Sequence, residues 1–421
     1  MRHPTDADGL PVELLTIGNE LLLGFTTDTN GAEIARALSD AGVRVVRRTS
    51  VGDSADDIRD AVRDALGRTG AVLTTGGLGP TRDDVSKVAV AGLFDAPLEF
   101  DPAVWHDLVE RFARRGRTPP ASNRSQAEVP RGATVLRNRW GTAPGLWLEG
   151  PPGLVVMLPG VPGEMRKLLE HEVMPRLAGR AGGLVVRSSL VRTTAIAESA
   201  LAERMGEIER EIAPLTLAYL PGPDGVDLRL SAWQLPPAEA DRRLKDAAAL
   251  LRGRAGEHAY GGDDADLAAV VLDAALARGL TIATAESCTG GLVGGRLTAI
   301  PGSSDTFLGG AICYANELKT TLLGVEPSLL ETHGAVSEPV ALAMALGAVD
   351  RLGAGAAVSV TGIAGPGGAT EGKPVGTVWV AVAVGSRAEA RHAILTGDRQ
   401  EIRARAAQLS LFRLLRALLN D

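Results

Sequence analysis

A glutamate, a serine and a cysteine stand side by side in residues 284–291, which read TAESCTGG. The apolar run before them, 280–285, predicts a buried parallel strand, and the apolar spacing after them predicts a helix. A turn from a strand into a helix exposes polar side chains and unpaired amide groups at the carboxyl end of the strand. Glu286, Ser287 and Cys288 are therefore candidate active-site residues.

Two further residues could activate a nucleophile in that turn. Tyr314 ends a predicted strand, 307–314, and Lys319 falls in the first turns of the helix predicted to follow it. A lysine that burial keeps neutral can take the proton of a serine hydroxyl, and a phenol can relay it or donate to an oxyanion. Of the six histidines, only His333 and His392 come near these segments, at their edges, so the pattern differs from a Ser-His-Asp triad. These features suit acyl transfer, such as hydrolysis of an ester or a primary amide.

Plainer interpretations of the same residues stay open. A serine after a strand often bonds to the backbone, and Lys319 could be a solvated helix residue. Cys288 is a rival nucleophile, but without a histidine nearby in the sequence it is better interpreted as a small packed residue. The residue types thus favour acyl transfer at Ser287 and leave the structural alternative open.

A second glycine-rich segment, 362–368, follows another predicted strand, 356–361. Its amide groups could hold a nucleotide phosphate or an oxyanion, and the guanidinium of Arg399 could pair with a phosphate bidentately. In this half of the chain, we expect the substrate to contact Thr289, Gly290, Gly291, Thr361, Gly362, Gly365 and Arg399.

A third glycine-rich loop, 76–84, reads GGLGPTRDD and follows a predicted strand, 71–75. Its glycines let the backbone approach a ligand closely, and the helix N-terminus after it favours a phosphate. Asp83 and Asp84 would repel a phosphate unless a cation lay between them. The loop therefore suggests a phosphate bound with a divalent metal ion such as Mg²⁺ or Mn²⁺. The alternative is that the two aspartates only complement the helix dipole.

Two glutamates could join the aspartates at the same rim of the sheet, because each follows a predicted strand. Glu20 comes after strand 12–17, and Glu164 lies in the loop 158–165. The predicted metal ligands are Asp83, Asp84, Glu20 and Glu164. The predicted substrate-binding residues of this half are Gly76, Gly77, Gly79 and Thr81.

Composition narrows the class of protein. The chain of 421 residues is long enough for two or three domains, and its 45% hydrophobic and 23% charged residues are typical of a globular protein. The net charge of −7 does not indicate a nucleic-acid binder. Cys288 and Cys313, the two cysteines, lie in separate apolar segments and exclude a disulfide framework. The polar N-terminus and the lack of an apolar run of about 20 residues lead us to expect a cytoplasmic protein.

The spacing of predicted strands and helices determines the expected architecture. Alternating strands and helices predict α/β domains with mostly parallel, doubly wound sheets. Residues 180–256 differ, because a hairpin signal at 221–225 falls within a β-α-β-β-α pattern. We expect two three-layer α/β/α domains joined by a small α+β module, with boundaries at 10–178, 180–258 and 263–421.

Four motifs in the first domain resemble the molybdopterin-binding-like domain of the CinA family. They are residues 18–20, 28–30, 75–84 and 159–165. The resemblance covers about 10–175 and implies hydrolysis of ADP-ribose to AMP and ribose 5-phosphate. It also implies dependence on a divalent metal ion, Mg²⁺, Mn²⁺ or Co²⁺.

The middle module resembles the KH-like module of full-length CinA proteins. Residues 222–225 match the GxxG pattern of nucleic-acid-binding KH domains, but they fall in a predicted hairpin instead of between two helices. We interpret the module as a structural spacer or a dimer contact. We expect a homodimer, with neither nucleic acid nor a membrane as a partner.

Five motifs in the last domain resemble the CinA C-terminal domain, the nicotinamide mononucleotide amidase family. They are residues 284–291, 310–319, 333–339, 360–366 and 373–379. The resemblance implies conversion of nicotinamide mononucleotide to nicotinate mononucleotide and ammonia without a cofactor. It assigns Ser287 as the nucleophile and Tyr314 and Lys319 as the activating groups.

The sequence thus predicts a bifunctional hydrolase of pyridine-nucleotide salvage. The alternative is a competence- or DNA-damage-associated regulatory protein whose first domain binds a nucleotide or a pterin without turnover.

Overall fold

The computed structural model describes residues 10–178, 180 and 183–420. These residues fall into two compact units. One comprises the chain up to Arg187 together with Ser231–Arg243, and the other comprises Ser188–Leu230 and the chain from Leu244 onward. Two of our expectations concern residues outside the described ones. They are the absence of a secretion signal, which rests on residues 1–9, and the end of the last domain, which we predicted at residue 421.

The N-terminal domain contains eight strands and seven α-helices among its described residues. The strands are β1 (Pro11–Ile17), β2 (Arg44–Val51), β3 (Ala71–Thr75), β4 (Leu98–Phe100), β5 (Glu128–Pro130), β6 (Thr134–Leu136), β7 (Gly145–Gly150) and β8 (Gly153–Leu158). The helices are α1 (Asn19–Leu22), α2 (Thr29–Asp40), α3 (Ala55–Thr69), α4 (Ser86–Leu93), α5 (Pro102–Ala113), α6 (Pro162–Leu168) and α7 (Met174–Ala178). A 3₁₀ turn spans Ala121–Ala127, and a π-helical turn, Leu169–Val173, joins α6 to α7.

Six of these strands form one sheet in the order β2-β1-β3-β8-β7-β6. The first four run parallel, as predicted. β7 is antiparallel to β8, and β6 is antiparallel to β7, so the sheet is mixed. β4 and β5 form a separate antiparallel ribbon. Since β7 enters the sheet where β8 ends, the loop between β6 and β7 lies at the carboxyl edge of the parallel strands.

Both faces of this sheet are covered by helices. Neighbouring residues of a strand point to opposite faces, so Leu14 packs with Ile34 and Leu38 of α2, whereas Leu15 packs with Ile58 and Val62 of α3. Helix α3 begins as predicted, with the Ser54 side chain accepting a hydrogen bond from the Asp57 amide. The predicted three-layer arrangement is confirmed for this domain.

The middle module contains four strands and three α-helices. They are β9 (Val185–Thr193), α8 (Glu198–Met205), α9 (Ile208–Glu211), β10 (Thr216–Gly222), β11 (Gly225–Leu235), α10 (Pro237–Ala255) and β12 (Ala259–Gly261). The strand order is β10-β11-β9-β12. The single helix predicted near 198–210 is broken at Gly206, where φ is +57°. The predicted hairpin is present, with its turn at Pro223 and Asp224.

Like the N-terminal domain, the C-terminal domain has a sheet between helices, and this sheet has five strands among the described residues. Its elements are α11 (Leu267–Ala277), β13 (Ile282–Glu286), α12 (Leu292–Thr298), β14 (Phe307–Ile312), α13 (Asn316–Leu323), α14 (Pro327–His333), α15 (Glu338–Leu352), β15 (Ala356–Gly362), β16 (Thr377–Val384), β17 (Arg387–Ile394) and α16 (Arg399–Asn420). The strand order is β14-β13-β15-β16-β17. β13 runs parallel to both of its neighbours, and β16 and β17 add an antiparallel hairpin.

This sheet too is buried on both faces. Ile282 and Val358 pack with α11 and α16 on one face, and Ala283 and Ala285 pack with Met344 of α15 on the other. The expected fold class of two α/β/α domains and a small α+β module is confirmed, and antiparallel strands accompany the expected parallel ones in both large sheets. Among the described residues, no helix has the length and hydropathy needed to cross a membrane.

Candidate active site

The turn after β13 lies between the ends of two parallel neighbours. Glu286 is in register with Ile312 of β14 and with Val360 of β15. The Ser287 amide donates to the Val360 carbonyl at 2.9 Å, and the Cys313 amide donates to the Glu286 carbonyl at 2.7 Å. The structure therefore brings the predicted turn together with the ends of β14 and β15, at the carboxyl edge of the sheet.

Glu286 fixes the shape of this turn. Its carboxylate is 1% exposed and accepts four hydrogen bonds. The donors are the Thr289 hydroxyl at 2.7 Å and the amides of Gly291, Val293 and Gly294 at 2.9, 3.1 and 2.8 Å. The first amides of a helix lack partners within the helix and carry partial positive charge, so they stabilise a buried carboxylate. The role of Glu286 in this structure is to hold the segment that carries Ser287.

The last two residues of the turn are glycines because the backbone there adopts the left-handed conformation. Gly290 has φ +61° and Gly291 has φ +97°, which favours glycine. A Cβ atom on Gly291 would also lie 3.0 Å from the Cδ1 atom of Ile312. The side chain of Thr289 is fully buried against Glu286, so these three predicted substrate contacts would have to come from backbone groups.

Ser287 and Cys288 are both buried, but the surroundings of their side chains differ. The Ser287 hydroxyl has no hydrogen-bond partner among the described residues, and the side chain is 8% exposed. Cys288 is packed in the core, where burial raises the pKa of its thiol to about 12. A thiol with so high a pKa stays protonated and is a poor nucleophile. The geometry favours the serine.

Lys319 is buried beside the end of β14. It is 1% exposed, and its Nζ atom donates to the carbonyls of Cys313 at 2.8 Å and Tyr314 at 3.3 Å. It forms no ion pair with any described residue. Burial lowers the pKa of Lys319, because the charged form loses hydration that two carbonyls do not fully replace. A buried lysine of this kind can act as a base.

Tyr314 and Arg399 lie together at the rim of the site. Tyr314 is 62% exposed, and its hydroxyl oxygen accepts a hydrogen bond from Arg399 Nη2 at 3.2 Å. Arg399 Nη1 donates to the Gly365 carbonyl at 2.5 Å. The structure thus brings these three predicted residues into one group. Tyr314 follows β14 by two residues instead of ending it.

The end of β15 and the loop after it contribute backbone groups more than side chains. Thr361 is buried, and its hydroxyl donates to the Ala335 carbonyl at 2.9 Å. At Gly362, a Cβ atom would lie 2.7 Å from Val378 Cγ2, so the chain can pass there only as glycine. The amides of Gly367 and Gly368 have no partner among the described residues and are free to bind an anion.

Arg403 is a positioning residue that the sequence analysis missed. Its Nε donates to the Cys288 carbonyl at 3.2 Å, and its Nη2 donates to the Thr289 carbonyl at 2.8 Å. It thereby holds the carbonyls that follow Ser287. The available signal was its spacing from Arg399, because residues four apart lie on the same face of a helix.

In the N-terminal domain, the glycine loop after β3 is closed on itself. Gly76 has φ +111°, and a Cβ atom there would overlap the Ile17 carbonyl. The Asp84 carboxylate accepts from the Thr81 amide at 2.8 Å and from the Thr81 hydroxyl at 2.5 Å. It also packs against Gly79, where a Cβ atom would lie 2.4 Å from its Oδ2 atom. In this structure Asp84 therefore holds the loop through Thr81, and it caps no amide of α4.

The two predicted glutamate ligands have separate surroundings. Glu164 accepts a hydrogen bond from Asn138 Nδ2 at 2.6 Å. Glu20 lines a cavity of about 140 Å³ with Asn30 and Thr75. In that cavity, Asn30 Nδ2 donates to Thr75 Oγ1 at 3.1 Å, and Asn30 Oδ1 is buried without a partner. An unpaired buried oxygen is an available acceptor for a ligand.

The described residues include no group of three or more His, Cys, Asp or Glu side chains placed to hold a metal ion. Asp84 and Glu164 already accept local hydrogen bonds. As placed, the four predicted carboxylates do not form a metal site by themselves. Magnesium is often held by one or two carboxylates plus phosphate oxygens of the substrate, so the protein supplies at most part of such a site.

Comparisons with known proteins identify all three parts of the chain. Residues 13–179 match a family model described as a probable molybdopterin binding domain, and residues 188–261 match the damage-inducible protein CinA KH domain. Residues 264–418 match the CinA C-terminal domain. These matches follow the order that the sequence motifs suggested.

Relatives match along the whole chain. A CinA-like protein of Gemmatimonas aurantiaca is 55% identical over 98% of this chain and 97% of its own length. A CinA-like protein of Salinibacter ruber is 45% identical over 93% of this chain and 95% of its own length. A crystal structure of a CinA superfamily protein from Klebsiella pneumoniae covers 37% of this chain and 97% of its own, with 34% identity and a TM-score of 0.36. By sequence identity over nearly its full length, this chain belongs to the CinA family.

Proposed function

We propose that the C-terminal domain hydrolyses the carboxamide of nicotinamide mononucleotide, giving nicotinate mononucleotide and ammonia. The observation that supports it most is a free serine hydroxyl directly after β13 together with a buried lysine that is bonded to the end of the adjacent strand, β14. Ser287 continues β13, and Lys319 is bonded to the carbonyls that follow β14. A serine is a weak nucleophile until a base takes its proton, and an unpaired buried lysine is such a base.

The reaction would proceed through an acyl-enzyme. Ser287 Oγ attacks the carboxamide carbon while its proton passes to neutral Lys319 Nζ. The tetrahedral intermediate then expels the amide nitrogen, which takes that proton and leaves as ammonia. Water, deprotonated by the same lysine, cleaves the ester and releases the carboxylate. The Tyr314 hydroxyl, whose oxygen accepts from Arg399, keeps its own proton available to donate to the oxyanion.

The substrate phosphate would bind at the loop after β15. The free amides of Gly367 and Gly368 and the guanidinium of Arg399 are the groups suited to it. Arg399 also contacts Tyr314, so phosphate binding there would be coupled to the position of the phenol. This coupling supports a substrate that carries both an amide and a phosphate.

For the N-terminal domain, we propose hydrolysis of ADP-ribose to AMP and ribose 5-phosphate. The cavity at Glu20 and Asn30, beside the glycine loop, offers an unpaired acceptor that could bind one part of a nucleotide. We propose that a divalent metal ion takes part only together with phosphate oxygens of the substrate. The carboxylates of Asp84 and Glu164 accept local hydrogen bonds, so the ion would need the substrate's oxygens to complete its coordination.

A regulatory role linked to DNA damage is the second candidate. It is favoured by the match of residues 188–261 to the KH domain of damage-inducible CinA. On that hypothesis, neither nucleotide would be turned over.

One assay separates these proposals. The purified full chain is incubated with nicotinamide mononucleotide and, separately, with ADP-ribose, with and without a chelator, and ammonia and AMP are measured. We expect Ser287→Ala to lower ammonia release at least a thousandfold and to leave AMP release unchanged. Full amidase activity in that variant would refute the assignment of Ser287. Absence of both products from the wild-type protein would favour the regulatory role.

A further inference from the structure

Five arginines surround one cavity of the N-terminal domain. The cavity lies between α5 and the segment after β6, and its volume is about 530 Å³. Its arginines are Arg111, Arg114, Arg115, Arg137 and Arg139. None of them belongs to the glycine loop or to the motifs discussed above.

The positive charge of this cavity is only partly balanced. Asp107 and Glu110 are its two acidic residues, against five arginines. Arg114 pairs with Glu110 at 3.4 Å, and Arg137 pairs with Asp107 at 3.7 Å. These pairs are long and solvent-exposed, so each contributes little. Three positive charges remain, in a protein whose net charge is −7.

The three remaining arginines have no carboxylate partner. Arg115 and Arg139 form no ion pair with any described residue. Arg111 is half-buried, and its Nη2 donates to the Asn138 carbonyl at 3.2 Å. The pKa of Arg111 is lowered, mainly by burial and also by the charges of Arg115 and Arg114. The negative charge of Glu164 raises this pKa but does not cancel the decrease. Gathering like charges in this way is unfavourable unless an anion neutralises them.

We propose that this arginine cavity binds a small ligand containing a chain of two or more phosphates. Guanidinium groups bind phosphate oxygens bidentately, and three unpaired ones suit a ligand with several negative charges. A volume near 500 Å³ is typical of a small-molecule site. The backbone of a nucleic acid would instead require a basic surface extending well beyond one cavity.

Hydrogen bonds also connect the cavity to Glu164 in the first turn of α6. Asn138 accepts from Arg111 through its backbone carbonyl and donates to Glu164 through its side chain. Binding of a ligand to Arg111 would therefore affect the position of Glu164, at the carboxyl edge of the sheet. The inference does not depend on turnover of ADP-ribose, because it concerns binding alone.

The test is direct binding of sodium tripolyphosphate to the full chain, measured by titration calorimetry without divalent metal ions. We expect tripolyphosphate to bind at least tenfold more tightly than inorganic phosphate, and more weakly as the salt concentration rises. The double variant Arg115→Gln/Arg139→Gln should weaken tripolyphosphate binding at least tenfold. Circular dichroism would show that the variant is folded.

A charge-matched control makes the result specific. Arg59 and Arg63 are exposed on α3 and paired with Asp56 and Asp60, away from the cavity. Arg59→Gln/Arg63→Gln should leave tripolyphosphate binding unchanged. Equal weakening by both double variants, or wild-type binding no tighter than that of inorganic phosphate, would overturn the proposal.

Two further ligands identify the source of the phosphate chain. ATP binding as tightly as tripolyphosphate would mean that the phosphates alone are recognised, and tighter ATP binding would mean that a nucleoside contributes. Both results support the site. Binding of a single-stranded oligonucleotide together with failure to bind tripolyphosphate would refute it.

Discussion

Lys87 and Lys319 are two buried lysines, one in each compact unit, and their surroundings differ in an instructive way. Lys87 is 5% exposed and donates to the carbonyls of Ser125 and, at 3.1 Å, Glu128. Lys319 is 1% exposed and donates to the carbonyls of Cys313 and Tyr314. Burial lowers the pKa of both, that of Lys87 to about 8. Burial and a lowered pKa therefore do not by themselves identify a catalytic base.

The difference lies in what the acceptor carbonyls belong to. Those of Lys87 belong to the 3₁₀ turn and to β5, so this lysine ties α4 to a structural segment. Those of Lys319 follow β14, and the Cys313 amide is itself bonded to the carbonyl before Ser287. Lys319 is therefore bonded to the end of the strand beside the one that leads to Ser287. The comparison therefore indicates a structural role for Lys87 and is consistent with the catalytic role that we propose for Lys319.

The largest expected effect is on amidase activity. Lys319→Met should lower kcat for ammonia release by about 10²- to 10⁴-fold, the usual contribution of a general base. Lys87→Met should leave kcat within about threefold, because no step of the proposed reaction uses Lys87. Ammonia release from nicotinamide mononucleotide measures both.

The variant Lys319→Arg is a control for loss of activity through misfolding. Arginine keeps the charge and the hydrogen-bond donors but cannot lose its proton in the working pH range. It should be as inactive as Lys319→Met while remaining folded by circular dichroism. An active Lys319→Arg enzyme would show that Lys319 is not the base. The proposed difference between Lys319 and Lys87 would then be wrong.

The pH dependence of kcat should sharpen the same distinction. A base acts in its neutral form, so kcat should rise about tenfold per pH unit until Lys319 is deprotonated. Because burial lowers the pKa of Lys319, the rise should level off below 10.5, the ordinary value for a lysine. The profile of Lys87→Met should superimpose on that of the wild type. A kcat for ammonia release that does not change with pH below 10.5 would argue against a lysine as the base.

Lys87 should appear instead in the pH dependence of stability. Below pH 8, Lys87 is charged in both states, and its burial costs the folded protein its full penalty. Between pH 8 and 10.5, the unfolded chain binds a proton that the folded chain does not, so the free energy of unfolding rises with pH. We expect a gain of about 1–3 kcal/mol over this range relative to Lys87→Met.

Urea unfolding of wild type and Lys87→Met at pH 7.5 and pH 10 measures that gain. The contribution of Lys319 is present in both proteins and cancels in the difference. Equal changes in the free energy of unfolding for the two proteins would mean that Lys87 titrates normally.

The sequence predicted the local elements of the candidate active site well. The strand expected at 280–285 is Ile282–Glu286, and the turn and helix follow as expected. Apolar runs and glycines are local signals, so such a strand–turn–helix unit can be read from them. The bond from Arg403 to Cys288 joins residues 115 apart in the chain, and no local pattern indicates it.

Side-chain direction marks the limit of prediction in the N-terminal domain. The residues after β1, β3 and β8 do lie at one edge of the sheet, as parallel strands require. Strand order does not determine where a carboxylate points, and Asp84 and Glu164 each turn to a nearby donor. Their roles as metal ligands stay a prediction.

The smallest expected effect concerns Cys288. Its thiol pKa of about 12 leaves almost no thiolate at neutral pH, and Arg403 contacts only its backbone carbonyl. Cys288→Ala should therefore change kcat/KM for ammonia release by less than about threefold, although loss of packing could lower the melting temperature. A loss above a hundredfold in a folded variant would make the thiol the nucleophile. Lys319 would then act as a cation that stabilises the thiolate. For that role it would have to stay protonated, whereas its burial favours the neutral form.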